Sequence, residues 1–294
     1  MRAALADLRD SSWGWLEANR DAFLLRPGEP AATRGPRLKA YAELMIFVTA
    51  ALRRGAATPA VERLAAFARG ALDAFDWESQ LMRDPHFVVA LLTVVELLEA
   101  TGADASRFRA LVERALELRV AESLALTPYR RVEIERLLVR SRFTAPDPEA
   151  FARGVRTALA LLAAPPPLWS TRDVYALTHV VFYVCDDGAR DAQAVLGARE
   201  VARVTWLVRT FARIAFADGH LDLLAELLMC ARFLGIDDGA LAAAAVARAG
   251  AARDAQGGIP GDPAYGPFFG TYHTTLVWAF AALVLGERLA EAAA

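Results

Sequence analysis

Four histidines and two cysteines are the only side chains of their kind in 294 residues, so their positions are informative. Three of the six stand out. His179 lies in LTHVVFYVC, Cys230 in LDLLAELLMC and His273 in YHTTLVWAF, apolar stretches that would otherwise read as core. Imidazole, thiolate and carboxylate form the zinc ligand set, and three protein ligands with one open position are its catalytic form. Asp222, Glu226 and Cys230 recur every four residues and so share one face of a helix. At about 1.5 Å rise per residue, Glu226 and Cys230 bracket the depth of His179 in its own helix, and Asp222 is level with His273. This register predicts one divalent ion on His179, Cys230 and His273, with zinc the first choice and iron or copper the alternatives. Asp222 and Glu226 are then a further ligand or the general acid/base. Tyr175, His179 and Tyr183 form a stripe, and buried hydroxyls need partners. Tyr175 and Tyr183 are therefore expected to orient a substrate or stabilise developing charge.

The elements that must position these groups are helices. Ala, Leu, Arg and Glu dominate, apolar positions recur at three and four, and Gly or Pro punctuates the chain every 20–25 residues. Six amphipathic helices are predicted at about 2–25, 59–75, 104–121, 147–163, 197–217 and 238–252. Six more apolar ones begin near Arg37, Asp84, Pro128, Thr171, Gly219 and Gly270. Thr58-Pro59 and Asp147-Pro148 place a cap residue before a first-turn proline. Gly55, Gly102, Gly188, Gly235 and Gly286 stand where left-handed C-caps are expected. Two helices per repeat of about 47 residues suit either an open solenoid or a closed ring. Six pairs, the second helix of most being apolar nearly all round, favour an all-α (α/α)6 toroid over residues 1–294 as a single domain. Its inner helices would line a central cavity and bring their first residues, His86, His179, His220 and His273 among them, to one end.

Composition narrows the function. The 33 Lys+Arg against 35 Asp+Glu leave a formal charge of −2, without the basic excess of a nucleic-acid binder. No apolar run reaches bilayer length. The N-terminus MRAALADLRDSSW carries acids where a signal peptide needs an apolar core, which predicts a cytoplasmic protein. There is no GxSxG, CxxCH or GxGxxG sequence.

The stretch QGGIPGDPAYGPFFGTYHTT ahead of the last apolar helix adds a resemblance. Gly257-Gly258, Pro260-Gly261 and Tyr272-His273-Thr274 resemble the end of protein prenyltransferase β subunits, within the terpene-cyclase-like toroid group. The resemblance covers about 25 residues. It implies the toroid fold and a zinc-ligand role for His273. The family's Asp and Cys ligands two apart have no match, Thr271 stands where an Asp usually precedes the Tyr-His pair, and DxDD and DDxxD are absent. The pattern YxLTHxxFY…YHTTL also resembles uncharacterised bacterial helical proteins.

Two functions follow as expectations. One is a metal-dependent tailoring enzyme of specialised metabolism, acting on a peptide-like or apolar small-molecule substrate in the toroid cavity. The other is a non-catalytic helical-repeat module that binds a peptide or protein partner. The charged third inner helix, with Tyr129, Arg130, Arg131 and Glu133, suits the module. The apolar outer helix Ala240–Ala252 could pair subunits in an oligomer.

Overall fold

The computed structural model describes residues 1–24, 29–84, 87–119, 127–162 and 164–291. His86 lies outside the described residues, as do residues 25, 120–121 and 163 of the predicted outer spans. Among the described residues there is no strand, and fourteen α-helices account for the fold. The predicted outer helices are α1 (Arg2–Ala18), α3 (Pro59–Gly70), α6 (Ser106–Glu117), α8 (Pro148–Leu161), α10 (Ala198–Asp218) and α12 (Gly239–Ala252). The predicted inner ones are α2 (Ala31–Arg53), α5 (Val88–Ala100), α7 (Pro128–Arg140), α9 (Thr171–Val184), α11 (Leu221–Phe233) and α14 (Tyr272–Glu291). Two short helices, α4 (Trp77–Arg83) and α13 (Gly266–Phe269), lead into α5 and α14 and were not foreseen.

Packing follows a cyclic order. Helix α2 contacts α5, α5 contacts α7, α7 contacts α9, α9 contacts α11, α11 contacts α14, and α14 returns to α2. The amphipathic helices pack on these: α3 on α2, α6 on α5, α8 on α7 and α9, α10 on α11, and α1 on α14. This division is what apolar periodicity demands, because a helix buried on most sides has no charged stripe to expose. Helix α14 shows it directly, with Leu276 to Val284 all buried. No single helix among the described residues is long and apolar enough to cross a membrane.

The ends obey the expected chemistry. Thr58 Oγ1 accepts from the Val61 amide at 3.3 Å and an Asp147 carboxylate oxygen from the Ala150 amide at 2.9 Å, each before a first-turn proline. Gly55, Gly102 and Gly235 have φ of +67° just past helix ends, but Gly286 lies inside α14 and caps nothing. Helix α2 starts at Ala31 and not near Arg37. A proline this close to a helix start removes one backbone bond only, and Thr33 and Arg34 amides bonded to the Pro30 carbonyl form the turn before it.

The Gly-rich segment before α14 is a packing device. At Gly257, with φ of +96°, a Cβ would lie 2.7 Å from the Ser11 carbonyl oxygen of α1. At Gly261 it would meet Thr274 Oγ1 at 2.4 Å. The Ile259 amide bonds Thr275 Oγ1 at 2.9 Å, so the loop is stitched to the first turn of α14. Substituting Gly257 by alanine combines strain with a clash and should destabilise the chain by about 2 kcal/mol. A chemical denaturation midpoint equal to wild type would contradict this.

Candidate functional site

Helix α9 begins with a reciprocal cap: Ser170 Oγ accepts from the Asp173 amide, and Asp173 accepts from the Ser170 amide at 2.8 Å. Asp173 is thus a cap. His220 does the same for α11, its Nδ1 accepting from the Leu223 amide at 3.3 Å, so it is no ligand. These two caps start α9 and α11 beside each other and bring Tyr175, Thr178 and His179 against Asp222 and Glu226.

The first turns of α11 and α14 meet at Asp222 and His273. Asp222 Oδ1 lies 2.7 Å from His273 Nδ1, and the Tyr175 hydroxyl donates to the other oxygen of the same carboxylate. Burial alone would raise the Asp222 carboxyl, but His273 and Tyr175 reverse this and hold it at about 2. Burial likewise disfavours the imidazolium of His273, and Asp222 with Glu43 overcomes it and lifts the ring to about 10. Glu43 of α2 stands on the other side, its Oε1 3.9 Å from His273 Nε2, with Oε2 accepting from the Tyr272 hydroxyl at 2.8 Å.

One turn deeper is Glu226, only 2% exposed. Thr178 Oγ1 donates to its Oε2 at 2.5 Å, which leaves Oε1 for the cavity. Burial pushes this carboxyl up, partly offset by His179 and His273. His179 Nδ1 is 2.7 Å from the Tyr175 carbonyl and therefore carries the proton, leaving Nε2 as an acceptor. His179 thus has one ring nitrogen fixed by an oxygen and the other without a hydrogen bond, whereas His273 has Asp222 on Nδ1 and Glu43 facing Nε2. Ligand atoms of Asp222, Glu226 and His273 all lie within 4.8 Å of one another.

Some of the predicted site residues are brought together and others are not. Asp222 and Glu226, read as acid/base groups, join His273 in one cluster. His179 borders it, its Nδ1 3.9 Å from Glu226 Oε2. Cys230 stands apart: fully buried, its thiol donates to the Thr178 carbonyl at 3.6 Å, and burial pushes the thiol well up. Substituting Cys230 by alanine is expected to leave metal content unchanged, and elemental analysis showing its loss would restore the thiolate to the site. Tyr183 has its ring 6.1 Å from that of His179 and the Arg136 guanidinium over its face, and it is not part of the cluster. Glu43 and Thr178 were missed. A lone acid in the apolar run AYAELMIFV was a legible signal for Glu43, whereas nothing local marks Thr178.

The cluster opens on a cavity of about 120 Å³. Ile46, Phe47, Phe182, Met229, Phe233 and Phe280 supply apolar wall, and Arg130, Glu133, Arg136 and Arg140 a charged one. At the far end Arg136 pairs with Asp186 and Asp187, Arg140 with Glu96, Asp186 and Asp187, Arg53 with Glu96, and Arg54 with Glu287. Of the α7 charges that suited a surface-binding module, Arg130 and Glu133 line this interior, whereas Arg131 is exposed. The family model for a domain of unknown function, DUF6895, matches residues 9–283. The chain belongs to this family. The matched span includes every residue of the cluster, from Glu43 to His273. No curated protein and no solved structure matches the chain.

Proposed function

We propose that this protein is a metal-dependent tailoring enzyme of specialised metabolism, built as an (α/α)6 toroid and acting in its cavity on a peptide-like or apolar small-molecule substrate. The cyclic packing of α2, α5, α7, α9, α11 and α14 supports the ring. One observation carries the catalytic reading: ligand atoms of Asp222, Glu226 and His273 converge within 4.8 Å, with Glu226 and His273 on the cavity wall. A divalent cation is the partner that two carboxylates and an imidazole suit. Such an ion supplies Lewis acidity or an activated water. The chain's own groups do the rest. Tyr175 and Thr178 hold the two carboxylates in place, His179 presents an acceptor beside them, and the phenylalanines exclude water from the reacting end.

Elemental mass spectrometry on protein purified without a His tag or chelator tests this. About one divalent ion per chain is expected, lost in the Glu226→Gln variant while its circular dichroism stays native. No ion after reconstitution with zinc, iron, manganese or copper would sink the metal reading.

A further inference from the structure

The cavity holds a second set of polar groups that the Asp222–Glu226–His273 cluster does not use. Helix α7 lines it with Arg130, Glu133, Arg136 and Arg140, where each other inner helix contributes fewer charged groups. An arginine carries five N–H donors. Arg130 gives Nη1 to Glu133 at 2.6 Å, and Arg136 gives Nε and Nη2 to Asp186 and Asp187. That leaves Nη2 of Arg130 and Nη1 of Arg136, the latter on a side chain only 8% exposed. Arg136 is buried and Arg130 is 40% exposed, and guanidinium donors on a cavity wall call for oxygen acceptors, for which the planar group of arginine suits a carboxylate.

Size and the facing wall restrict what brings that acceptor. At about 120 Å³ the cavity is slightly smaller than the roughly 150 Å³ that admits benzene. Phe47, Met229 and Phe280 face the arginines and suit a short hydrocarbon body. A phosphate would set further charged oxygens against this wall.

We propose that the substrate is a small carboxylic acid, its carboxylate held by Arg130 and Arg136 and its apolar body against Phe47, Met229 and Phe280, with the other end at His273 and Glu226. This rests on the reading that chemistry takes place in this cavity, and not on the presence of a metal.

Isothermal titration of the full chain with butyrate, n-butanol, n-butylammonium, inorganic phosphate and octanoate, each with and without EDTA, tests it. Butyrate is expected to bind at one site per chain. Arg130→Gln and Arg130→Lys should each weaken that binding about tenfold or more, with the fold verified by circular dichroism. Butanol, butylammonium and phosphate should show no saturable binding, and octanoate should be excluded by length. Absence of butyrate binding, equal binding of butanol or octanoate, or preference for phosphate or butylammonium would each overturn the proposal. So would undiminished butyrate binding in folded Arg130→Gln. Butyrate binding to protein that takes up no ion after reconstitution would leave this inference standing and sink the metal reading; metal without butyrate binding would do the reverse.

Discussion

Replacing His273 by alanine should abolish the proposed ion binding and destabilise the metal-free chain by about 3 kcal/mol, the low end for breaking a buried ion pair. Asp222 explains the size of the effect. Its carboxylate is largely buried and is held ionised by His273, so the variant keeps a buried charge with only the Tyr175 hydroxyl as partner. The pH dependence of the metal-free protein follows from the same pair. The Asp222 carboxyl is depressed to about 2, so its contribution is complete above its ordinary value near 3.8 and is lost as pH falls towards 2. His273 is raised to about 10, so its contribution is complete below its ordinary value near 6.5 and is lost as pH rises through 10. Stability should therefore be greatest between about pH 4 and 6.5, as far as this pair decides it. Metal affinity runs the other way and should rise with pH, because the ring must lose its proton to ligate. Denaturant unfolding of wild type and His273→Ala across this range, beside elemental analysis, checks both. A variant that keeps one ion per chain, or one that unfolds at the wild-type midpoint at pH 6, would refute the account.

The second large effect is expected at the other end of the cavity. Arg136 is the hub of the far ion network, with Asp186 and Asp187 both on its guanidinium and Glu96 close by. Those two aspartates have φ of +46° and +53°, a left-handed turn that non-glycine residues seldom adopt. The turn is held by Arg136, by Arg140 and by Arg54 bonded to the Asp187 carbonyl. Arg136→Met roughly keeps the side-chain volume but leaves Asp186 and Asp187 with Arg140 as their cation, and should cost about 3 kcal/mol, the low end for breaking a buried pair. At about 2–4 °C per kcal/mol for domains of 150–250 residues, the melting temperature should fall by roughly 10 °C. Differential scanning calorimetry measures it, and a shift below about 2 °C would mean that the network is solvated and weak. Asp187→Asn tests the same idea from the acid side and should cost less, because Asp186 still pairs with Arg136.

Much of this protein can be read along the chain. Helix positions depend on local periodicity and on caps whose groups lie within four residues of each other, and Thr58-Pro59, Asp147-Pro148 and Gly235 act as their residue types dictate. That the start of α2 escaped has a local reason too: Pro36 reads as a breaker, although near a helix start it is tolerated. The site was legible in part. Residues at equal depth on neighbouring helices were expected to converge, and Asp222 does meet His273.

Depth, however, says nothing about azimuth, the angle at which each side chain leaves its helix. Cys230 and Glu226 share a helical stripe, yet four residues turn a helix by 400°, so the stripe drifts by about 40° between them. That rotation, with one further turn of depth, leaves the thiol against the Thr178 carbonyl while Glu226 faces the cavity. Helix content and depth were thus determined by the sequence itself, because both follow from contacts within a turn or two. Which carboxylate faces which imidazole was decided only by the packing of α2, α9, α11 and α14, since the hydrogen bonds that orient Asp222, Glu226 and His273 come from partners up to 51 residues away.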